Sequence, residues 1–358
     1  MCLNETHRHS IFCILPPYVL RSIVKNGTPE QRELAIQTLS TDNTLRAIRS
    51  AQRQLKPSTV SRQTLSAPEG RKHRTVYNVR NTQELPGDIA RTEGAPITGD
   101  LAVDEAYDGL GATYDFFWET YERDSIDDDG LQLDAHVHFG RDYDNAFWDG
   151  QRMVFGDGDG ELFNRFTISL DVIAHELTHG VTEDEAGLIY FFQSGALNES
   201  LSDVFGSLVK QYLLNQTVDQ ADWLIGAGLF TDKVDGVALR SMKEPGSAFD
   251  DPILGKDSQP AHMKKFVRTF EDNGGVHINS GIPNHAFYLA AMEIGGYAWE
   301  KSGHIWYDAL RDSRLRPNTG FRRFARLTLN SAEKLFGLGS MESKAVRNAW
   351  NQVGIKIA

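Results

Sequence analysis

The pattern of hydrophobic and polar residues divides the chain into a helical start, a mixed middle and a helical remainder. Pro16–Leu20 opens a short apolar helix, and Thr28–Gln31 carries the capping residues of a second one. Residues 1–50 are therefore predicted to form a small helical unit, with a further helical run starting near Asp42. Residues 51–73 are polar and rich in Arg, Ser, Gln and Pro, which predicts an exposed linker open to proteolysis.

The middle of the chain has the short alternating runs that are typical of strands. Strands are predicted at Thr75–Val79, Ala135–Phe139 and Met153–Phe155, and a helix at Val103–Phe117. From Leu170 to the C-terminus, helical spacing of the apolar residues dominates. Strands followed by helices predict an α+β protein.

Two neighbouring helical segments carry the residues of a metal site. His175 and His179 are four positions apart, so their imidazoles share one helix face. Zn²⁺ binds imidazole nitrogens and carboxylate oxygens, and Glu199 on the next helix can supply a third ligand. The fourth position is then left to water, as in catalytic sites, and Glu176 can take its proton. Gly180 predicts the end of this helix.

Composition narrows the class of protein. The chain has 358 residues, of which 40% are hydrophobic and 24% charged, which suits a soluble globular protein of two domains. The formal net charge is -12 and no long basic run occurs, so a nucleic-acid partner is not expected. The two cysteines, Cys2 and Cys13, lie at the N-terminus, so no disulfide framework or thiolate zinc site is expected in the remaining chain.

The N-terminus also bears on where the protein is made. Ile11–Leu15 is too short for the apolar region of a secretion signal, and Pro16 and Pro17 interrupt it. No apolar run reaches the roughly 18 residues that a membrane span needs. These features predict synthesis in the cytoplasm without a signal peptide, and they leave later export by a non-classical route open.

Several separated motifs between about Thr75 and Ala358 resemble the thermolysin family of zinc metalloendopeptidases. Besides the two metal-binding segments, these motifs are Asn145–Trp148, Gly156–Gly160, Gly187–Tyr190, Leu239–Met242 and Asp272–Gly281. The short N-terminal unit, with Pro16, Pro17 and Leu20, is similar to the propeptide of the protealysin-like branch of that family.

The resemblance implies a fold and an activity. Residues 1–50 would be a helical propeptide and 51–73 a processing region. Residues 74–180 would form a β-rich catalytic domain ending in the zinc-binding helix, and 181–358 a helical one, with the zinc cleft between them. The protein would be a monomeric, self-processing proenzyme whose propeptide inhibits it. A zinc-bound water would attack internal bonds of protein or peptide substrates.

The resemblance also implies roles for residues of the reaction. Glu176 would be the base, Tyr190 and His277 would donate hydrogen bonds to the oxyanion, and Asp272 would orient His277. From its surroundings alone, Tyr190 in an apolar run is more often a core residue. His277 and Asp272 lie in a glycine-rich segment, which favours a functional histidine.

A second group of residues would support the zinc ligands or bind the substrate. Asp203 and Asn198 would accept hydrogen bonds from the ring nitrogens of the ligand histidines that do not bind zinc. Asn145 and Ala146 would pair with an extended peptide, and Arg240 would bind a substrate carbonyl. An apolar pocket for a bulky residue after the scissile bond would be lined by Phe163, Phe166, Val172, Leu229 and Leu239. Buried apolar residues at such spacing are also typical of ordinary core.

The sequence departs from the family where many members bind calcium beside the zinc helices. Asp171 and Asp222 remain, but Lys210, Leu224 and Ala227 stand where oxygen ligands are expected. Hard cations need several oxygen ligands, so one catalytic zinc is predicted, with calcium absent or weakly bound. The ammonium of Lys210 could take the place of the cation and pair with Asp171.

Two other functions and one other mode of inhibition stay open at this point. A zinc exopeptidase would need an acidic cluster for the substrate's free amine, and no signature for one is visible. A non-catalytic protein with structural zinc would need a fourth protein ligand near His175, and none is evident in the sequence. Cys13 could inhibit the enzyme as a thiolate on zinc, as an alternative to an apolar anchor around Pro17 and Leu20.

Overall fold

A computed structural model describes residues 11–55 and 70–357 of the chain. The N-terminal unit consists of strand β1 (Phe12–Cys13) and helices α1 (Pro17–Asn26) and α2 (Pro29–Leu55). A capping box starts α2: the Thr28 N–H donates to Gln31 Oε1 at 2.9 Å, and the Gln31 N–H donates to Thr28 Oγ1. The helix start predicted near Asp42 is wrong, because α2 runs through this position without a break.

A six-stranded sheet forms the next layer. It contains β2 (Arg74–Asn78), β3 (Asp88–Thr92), β4 (Leu133–Val137), β5 (Ala146–Trp148) and β6 (Met153–Phe155) in the order β1-β5-β6-β4-β2-β3. Strands β2, β4 and β6 are parallel to their neighbours in this group, and the other pairs are antiparallel. Strand β1 of the N-terminal unit therefore lies along β5 at the edge of the sheet.

Helix α3 (Leu101–Tyr121) packs against strands β2 and β4 of the sheet. It is longer at both ends than the helix predicted for Val103–Phe117, and Asp100 caps its start. The Asp100 carboxylate accepts from the N–H groups of Ala102 and Val103.

Helices α4 (Leu170–Glu185) and α5 (Phe192–Leu213) pack against each other and carry the metal-site residues. The end of α4 predicted at Gly180 is wrong, because the helix continues to Glu185. A Cβ atom at Gly180 would lie 2.5 Å from Ile126 Cγ2 and 3.1 Å from the Trp148 ring. Glycine at this position permits close packing of α4 on the sheet and does not end the helix.

The remainder of the chain is mainly helical. Two small antiparallel sheets pair β7 with β8 and β9 with β10, and helices α6 to α10 follow. Their limits are Leu224–Ile225, Arg240–Ser241, Asp250–Asp251, Gly255–Lys256, Asp272–Asn279, Gly281–Ile294, His304–Leu310, Phe321–Phe336 and Met341–Gln352. One hydrophobic cluster runs from α1 through the sheet to α10, so the N-terminal unit shares the main core. The predicted α+β fold, with a β-rich part before a helical one, is confirmed.

Two predictions from the sequence, on the linker and on a membrane span, can be compared with the described residues only. Most of the predicted linker, residues 56–69, lies outside them, as does Cys2, while residues 51–55 belong to α2. Within residues 11–55 and 70–357, no helix combines the length and the apolarity that a bilayer span requires.

Candidate active site

Three buried side chains from α4 and α5 converge on one point. The Nε2 atoms of His175 and His179 lie 3.0 Å apart on adjacent turns of α4. Glu199 on α5 places Oε2 of its carboxylate 3.5 Å from Nε2 of His175 and Oε1 3.4 Å from Nε2 of His179. None of the three side chains is exposed. The three predicted ligands, His175, His179 and Glu199, are therefore brought together as a metal-binding group.

The hydrogen bonds behind these rings show that the donor set fits a cation. Nδ1 of His175 lies 2.8 Å from Asp203 Oδ1, and Nδ1 of His179 lies 2.7 Å from Asn198 Oδ1. Because both partners are acceptors, each ring carries its proton on Nδ1 and a lone pair on Nε2. Two lone pairs facing each other beside the Glu199 carboxylate repel one another unless a cation lies among them. This donor set suits zinc.

Glu176 lies beside the metal-binding group with one oxygen held and the other buried. The Trp148 N–H of β5 donates to Glu176 Oε2 at 3.0 Å. Oε1 is buried and has no hydrogen-bond partner among the described residues. Burial, followed by the charge of Glu199, raises the pKa of Glu176 well above its usual range. A carboxylate with a raised pKa is suited to accept and return a proton near neutral pH.

Tyr190 and His277 also lie beside the Glu199 carboxylate. The Tyr190 hydroxyl donates to Glu199 and lies 3.2 Å from His277 Nε2. Nδ1 of His277 is 2.5 Å from Asp272 Oδ1. Burial alone would lower the pKa of His277, but the charges of Asp272 and Glu199 raise it to about 9. The imidazolium can therefore donate from Nε2 at neutral pH.

A left-handed turn at the start of α6 brings Asp272 back to His277. Asp272, Asn273, Gly274 and Gly275 have φ values of 51°, 51°, 84° and 76°. Glycine and asparagine adopt this conformation at low cost, which explains the Asn-Gly-Gly sequence. The turn also lets the Asp272 carboxylate accept the His277 backbone N–H at 3.0 Å.

Asp203 joins the metal-binding group to a buried arginine. Besides His175, it contacts Arg240, whose Nε and Nη2 each lie 2.9 Å from a carboxylate oxygen, and Asn284, whose Nδ2 is 2.8 Å away. Burial alone would raise the pKa of Asp203, but the charge of Arg240 holds it below its usual range. Asn284 was missed in the sequence, where its signal is an amide within the otherwise apolar start of α7.

The predicted substrate-binding residues contact the N-terminal unit of the same chain. The Leu15 N–H donates to Asn145 Oδ1 at 3.1 Å, and the Ile14 N–H donates to the Ala146 carbonyl at 3.2 Å. Arg240 Nη1 donates to the Ile14 carbonyl at 3.1 Å. The segment that follows β1 therefore lies in the cleft as an extended peptide.

The residues of β1 cover the metal-binding group. The Phe12 ring stacks on His179, with ring centroids 4.3 Å apart, and meets Tyr190 edge-on at 4.8 Å. The Cys13 carbonyl accepts from His277 Nε2 at 3.0 Å. The Cys13 thiol lies 3.4 Å from Arg46 Nη2 and is not part of the metal-binding group. Its position favours the apolar anchor over a thiolate bound to zinc.

The residues predicted to line an apolar pocket are all fully buried. They belong to the same hydrophobic cluster as Ile14, and they are Phe163, Phe166, Val172, Leu229 and Leu239. The Phe163 and Phe166 rings lie 6.0 Å apart, and Phe163 bridges to Phe230.

Lys210 lies between Asp171 and Asp222, where the sequence predicts that calcium is absent or weakly bound. Its Nζ is 2.6 Å from Asp171 Oδ2, 2.9 Å from Asp222 Oδ1 and 2.8 Å from the Leu224 carbonyl. Burial alone would lower the pKa of Lys210, but the charges of Asp171 and Asp222 raise it. The ammonium group therefore stays charged among these oxygens.

Comparison with known proteins identifies the family. Two protein-family models match the chain. The one described as thermolysin metallopeptidase, catalytic domain, matches residues 43–183, and the one described as thermolysin metallopeptidase, alpha-helical domain, matches residues 186–355. An extracellular metalloprotease of Pectobacterium carotovorum subsp. carotovorum is 55% identical over 347 residues, covering 97% of each chain. The chain belongs to the thermolysin family. The resemblance read from the sequence motifs is confirmed.

A further relative and a solved structure support membership of the thermolysin family. Protease PrtS of Photorhabdus is 49% identical and covers 96% of this chain, which spans 92% of that protein. The solved structure of the protealysin precursor, a metalloproteinase from Serratia proteamaculans, has a TM-score of 0.87 at 53% identity. That match covers 96% of this chain and 99% of the other.

These comparisons decide the function at the level of the family. The protein is a zinc-dependent metalloendopeptidase made as a proenzyme, as the sequence motifs predicted. They give no support to the exopeptidase or to the non-catalytic zinc protein.

The predicted cytoplasmic location is wrong. The Pectobacterium relative is named an extracellular metalloprotease, and a relative from Serratia marcescens, 45% identical, is named an extracellular minor metalloprotease. The prediction rested on Ile11–Leu15 being too short for a secretion signal, and that shortness does not determine where the protein acts. In the structure, this apolar segment is bound in the cleft.

Proposed function

We propose that the buried group around His175 performs the hydrolysis of internal peptide bonds, with the residue roles that follow. The observation that carries the proposal is the convergence of His277, Arg240 and Asn145 on an extended peptide already lying in the cleft. Zinc held by His175, His179 and Glu199 would polarise the carbonyl and lower the pKa of a water.

Glu176 transfers the proton in this proposal. Its unpartnered Oε1 accepts a proton from the attacking water, while the Trp148 N–H keeps Oε2 in place. The raised pKa of Glu176 lets it hold the proton and deliver it to the leaving nitrogen. Tyr190 and His277 donate hydrogen bonds to the oxyanion as it develops.

Asp203, Asn198 and Asp272 position these groups. Asp203 and Asn198 fix the tautomers of the two ligand histidines, and Asp272 keeps His277 protonated. Asn145, Ala146 and Arg240 bind the main chain of the substrate, so they add little side-chain selectivity. Selectivity for a bulky apolar residue after the scissile bond comes from the pocket of Phe163, Phe166, Val172 and Leu239.

The remaining parts of the proposal concern the molecule as a whole. The protein acts as a monomer with one zinc and no tightly bound calcium, since Lys210 fills the position between Asp171 and Asp222. Residues 1–50 are the inhibitory propeptide and self-cleavage occurs within 51–73. The catalytic domains are residues 74–180, with α4 continuing to Glu185, and 181–358. The names of two relatives support action outside the cell.

The Glu176→Ala variant tests the central role. It should retain about one equivalent of zinc, because the ligands are untouched, and lose at least about a hundredfold in kcat on internally blocked peptides. Zinc content by mass spectrometry and peptide hydrolysis are measured on the same preparation. The control is Glu161→Ala, which removes an exposed glutamate paired with Lys233. Near-normal turnover by Glu176→Ala would refute the proposal.

A further inference from the structure

The propeptide segment in the cleft has a defined register against the site. Strand β1 is antiparallel to β5, with Phe12 opposite Trp148 and Cys13 opposite Phe147. The Cys13 carbonyl is 3.0 Å from Nε2 of His277, and the hydroxyl of Tyr190 is 3.2 Å from the same nitrogen. The carbonyl of Cys13 is therefore bound by one predicted oxyanion donor, His277, and the hydroxyl of the other, Tyr190, lies beside that donor.

The residue after this carbonyl is held at both ends of its peptide unit. The Ile14 N–H donates to the Ala146 carbonyl, and the Ile14 carbonyl accepts from Arg240. The next N–H, that of Leu15, donates to Asn145 Oδ1. The three polar groups predicted to bind the main chain of a substrate, those of Asn145, Ala146 and Arg240, are thus engaged by Ile14 and Leu15.

No neighbouring bond has this placement. The carbonyl of Ile14 faces Arg240, not His277, and Phe12 is paired with Trp148 in the sheet. A shift of one residue would turn every side chain to the other face of the strand. It would end the stacking of the Phe12 ring on His179 and take the fully buried Ile14 side chain out of its present packing.

We infer that the peptide bond between Cys13 and Ile14 is a self-cleavage site of the proenzyme, separate from processing in residues 51–73. The inference rests on the proposed function of the site. In the reaction, one water adds across the bond: the C–N bond of Cys13–Ile14 breaks and a C–O bond forms at Cys13. Cys13 becomes a C-terminal carboxylate and Ile14 a new N-terminal amine, with no change of oxidation state.

Cleavage at this position has a specific structural consequence. Residues 1–13 become a separate peptide that includes Phe12, the ring stacked on His179. Helices α1 and α2 stay attached to the rest of the chain, because both follow Ile14. The propeptide thus acts as a bound substrate, and a cut at this bond separates the cover of the metal-binding group from α1 and α2.

The sequence offers a selective probe of this bond. Cys13–Ile14 is the one place in the chain where isoleucine follows cysteine. Labelling with carbonyl-¹³C cysteine and ¹⁵N isoleucine therefore gives a single carbonyl-filtered amide signal in the full-length protein. In metal-free precursor, His277→Ala should shift this ¹³C resonance, because the carbonyl loses its donor. An unchanged resonance would overturn the proposed register without any reference to activity.

The second readout follows the bond after zinc is added to the chelated precursor. The amide signal should disappear, and mass spectrometry should find a chain starting at Ile14 and a peptide ending at Cys13. The rate should be independent of protein concentration, as expected for cleavage within one molecule. Glu176→Ala should show neither product. Cleavage at Phe12–Cys13 or Ile14–Leu15 instead would overturn the inference.

Variants of the segment test the role of the residue after the bond. Ile14→Gly keeps the N–H but removes a fully buried side chain, and it should slow cleavage about tenfold or more. Ile11→Val, in a separate hydrophobic cluster, is the matched control and should cleave at the wild-type rate. If Ile14→Gly does not fold, the wild-type signal still decides the matter. A protein that hydrolyses blocked peptides but leaves Cys13–Ile14 intact refutes this inference alone, and loss of both reactions refutes the proposed function too.

Discussion

At the scale of single residues, His138 is an ionisable group outside the active site with two acidic partners. Its Nδ1 lies 2.8 Å from Asp157 and its Nε2 lies 3.0 Å from Asp100, the residue that caps α3. The hydrogen bond that His138 donates to the Asp157 carboxylate is the main cause that raises the pKa of His138 to about 9, although burial opposes it. The charged imidazole therefore ties the end of β4 to the start of α3.

His138→Asn should remove a pH-dependent part of the stability. The folded pKa exceeds the unfolded value of about 6.5, so this stabilisation is complete below about pH 6.5 and is lost as pH rises through about 9. Asn suits the backbone, because His138 has a φ of 56°. Urea unfolding in a Glu176→Ala background, which prevents self-digestion, should show a loss of about 1–2 kcal/mol at about pH 6 and little at about pH 10.

Exposed His73 provides the control, since His73→Asn should leave the pH profile unchanged. Equal destabilisation of His138→Asn at both pH values would show that the contribution is packing and not charge.

Single residues of the site differ in how far the sequence predicts them. His175 and His179 are predictable because helical spacing puts them on one face, and Glu199 because an acidic helical segment follows them. Asn284 and the Trp148 N–H are not, since their contacts with Asp203 and Glu176 join segments far apart in sequence. Local patterns contain no information about such contacts.

At the scale of elements, Lys210 connects α4, α5 and β7. Its ammonium group on α5 binds Asp171 on α4 and the carbonyl of Leu224 in β7. Asp171 is fully buried and also accepts the N–H of Gly226. The two helices that carry the metal-binding group are thus joined to each other and to β7 by one cation.

Lys210→Ala should destabilise the protein by about 3 kcal/mol, because it leaves the buried Asp171 carboxylate without its cation. Millimolar calcium should not raise the Tm of the wild type, since too few oxygens remain for a tight site. Thermal unfolding with calcium or with a calcium-selective chelator measures both effects. Lys256→Ala is the control, because Lys256 forms an exposed pair with Asp250. A clear rise of the wild-type Tm with calcium would contradict the prediction.

Elements were predicted well where their signals are local and poorly where packing decides. Strand β6 and the start of α4 lie where the apolar pattern predicts them. Gly180 and Asp42 were misinterpreted because glycine and aspartate usually mark helix ends. Here Gly180 permits contact with Trp148, and Asp42 points inward to accept from Asn145 Nδ2 at 3.0 Å. The role of each residue depends on a contact with a residue distant in sequence, which the local pattern does not indicate.

At the scale of the whole molecule, the propeptide is part of the catalytic core as well as a cover over it. Leu20 is fully buried, and the main hydrophobic cluster includes α1 residues. Ser22 of α1 donates to the Ile253 carbonyl at 2.9 Å. Asp42 on α2 binds the amide of Asn145, a predicted substrate-binding residue. Release of the cleft therefore requires the separation of an apolar interface as well as a cut.

Leu20→Asp should relieve latency in the uncut precursor, whereas Cys13→Ser should leave it latent. Burying an unpaired carboxylate at position 20 costs several kcal/mol, so the propeptide should detach from the cleft. A serine at position 13 keeps a polar group beside Arg46 and leaves the apolar contacts intact. Activity on blocked peptides is measured within the first minutes after zinc addition, and intact mass confirms that the chain is uncut. An active Cys13→Ser precursor beside a latent Leu20→Asp precursor would assign inhibition to the thiol, because it would show that the apolar interface alone does not keep the cleft closed.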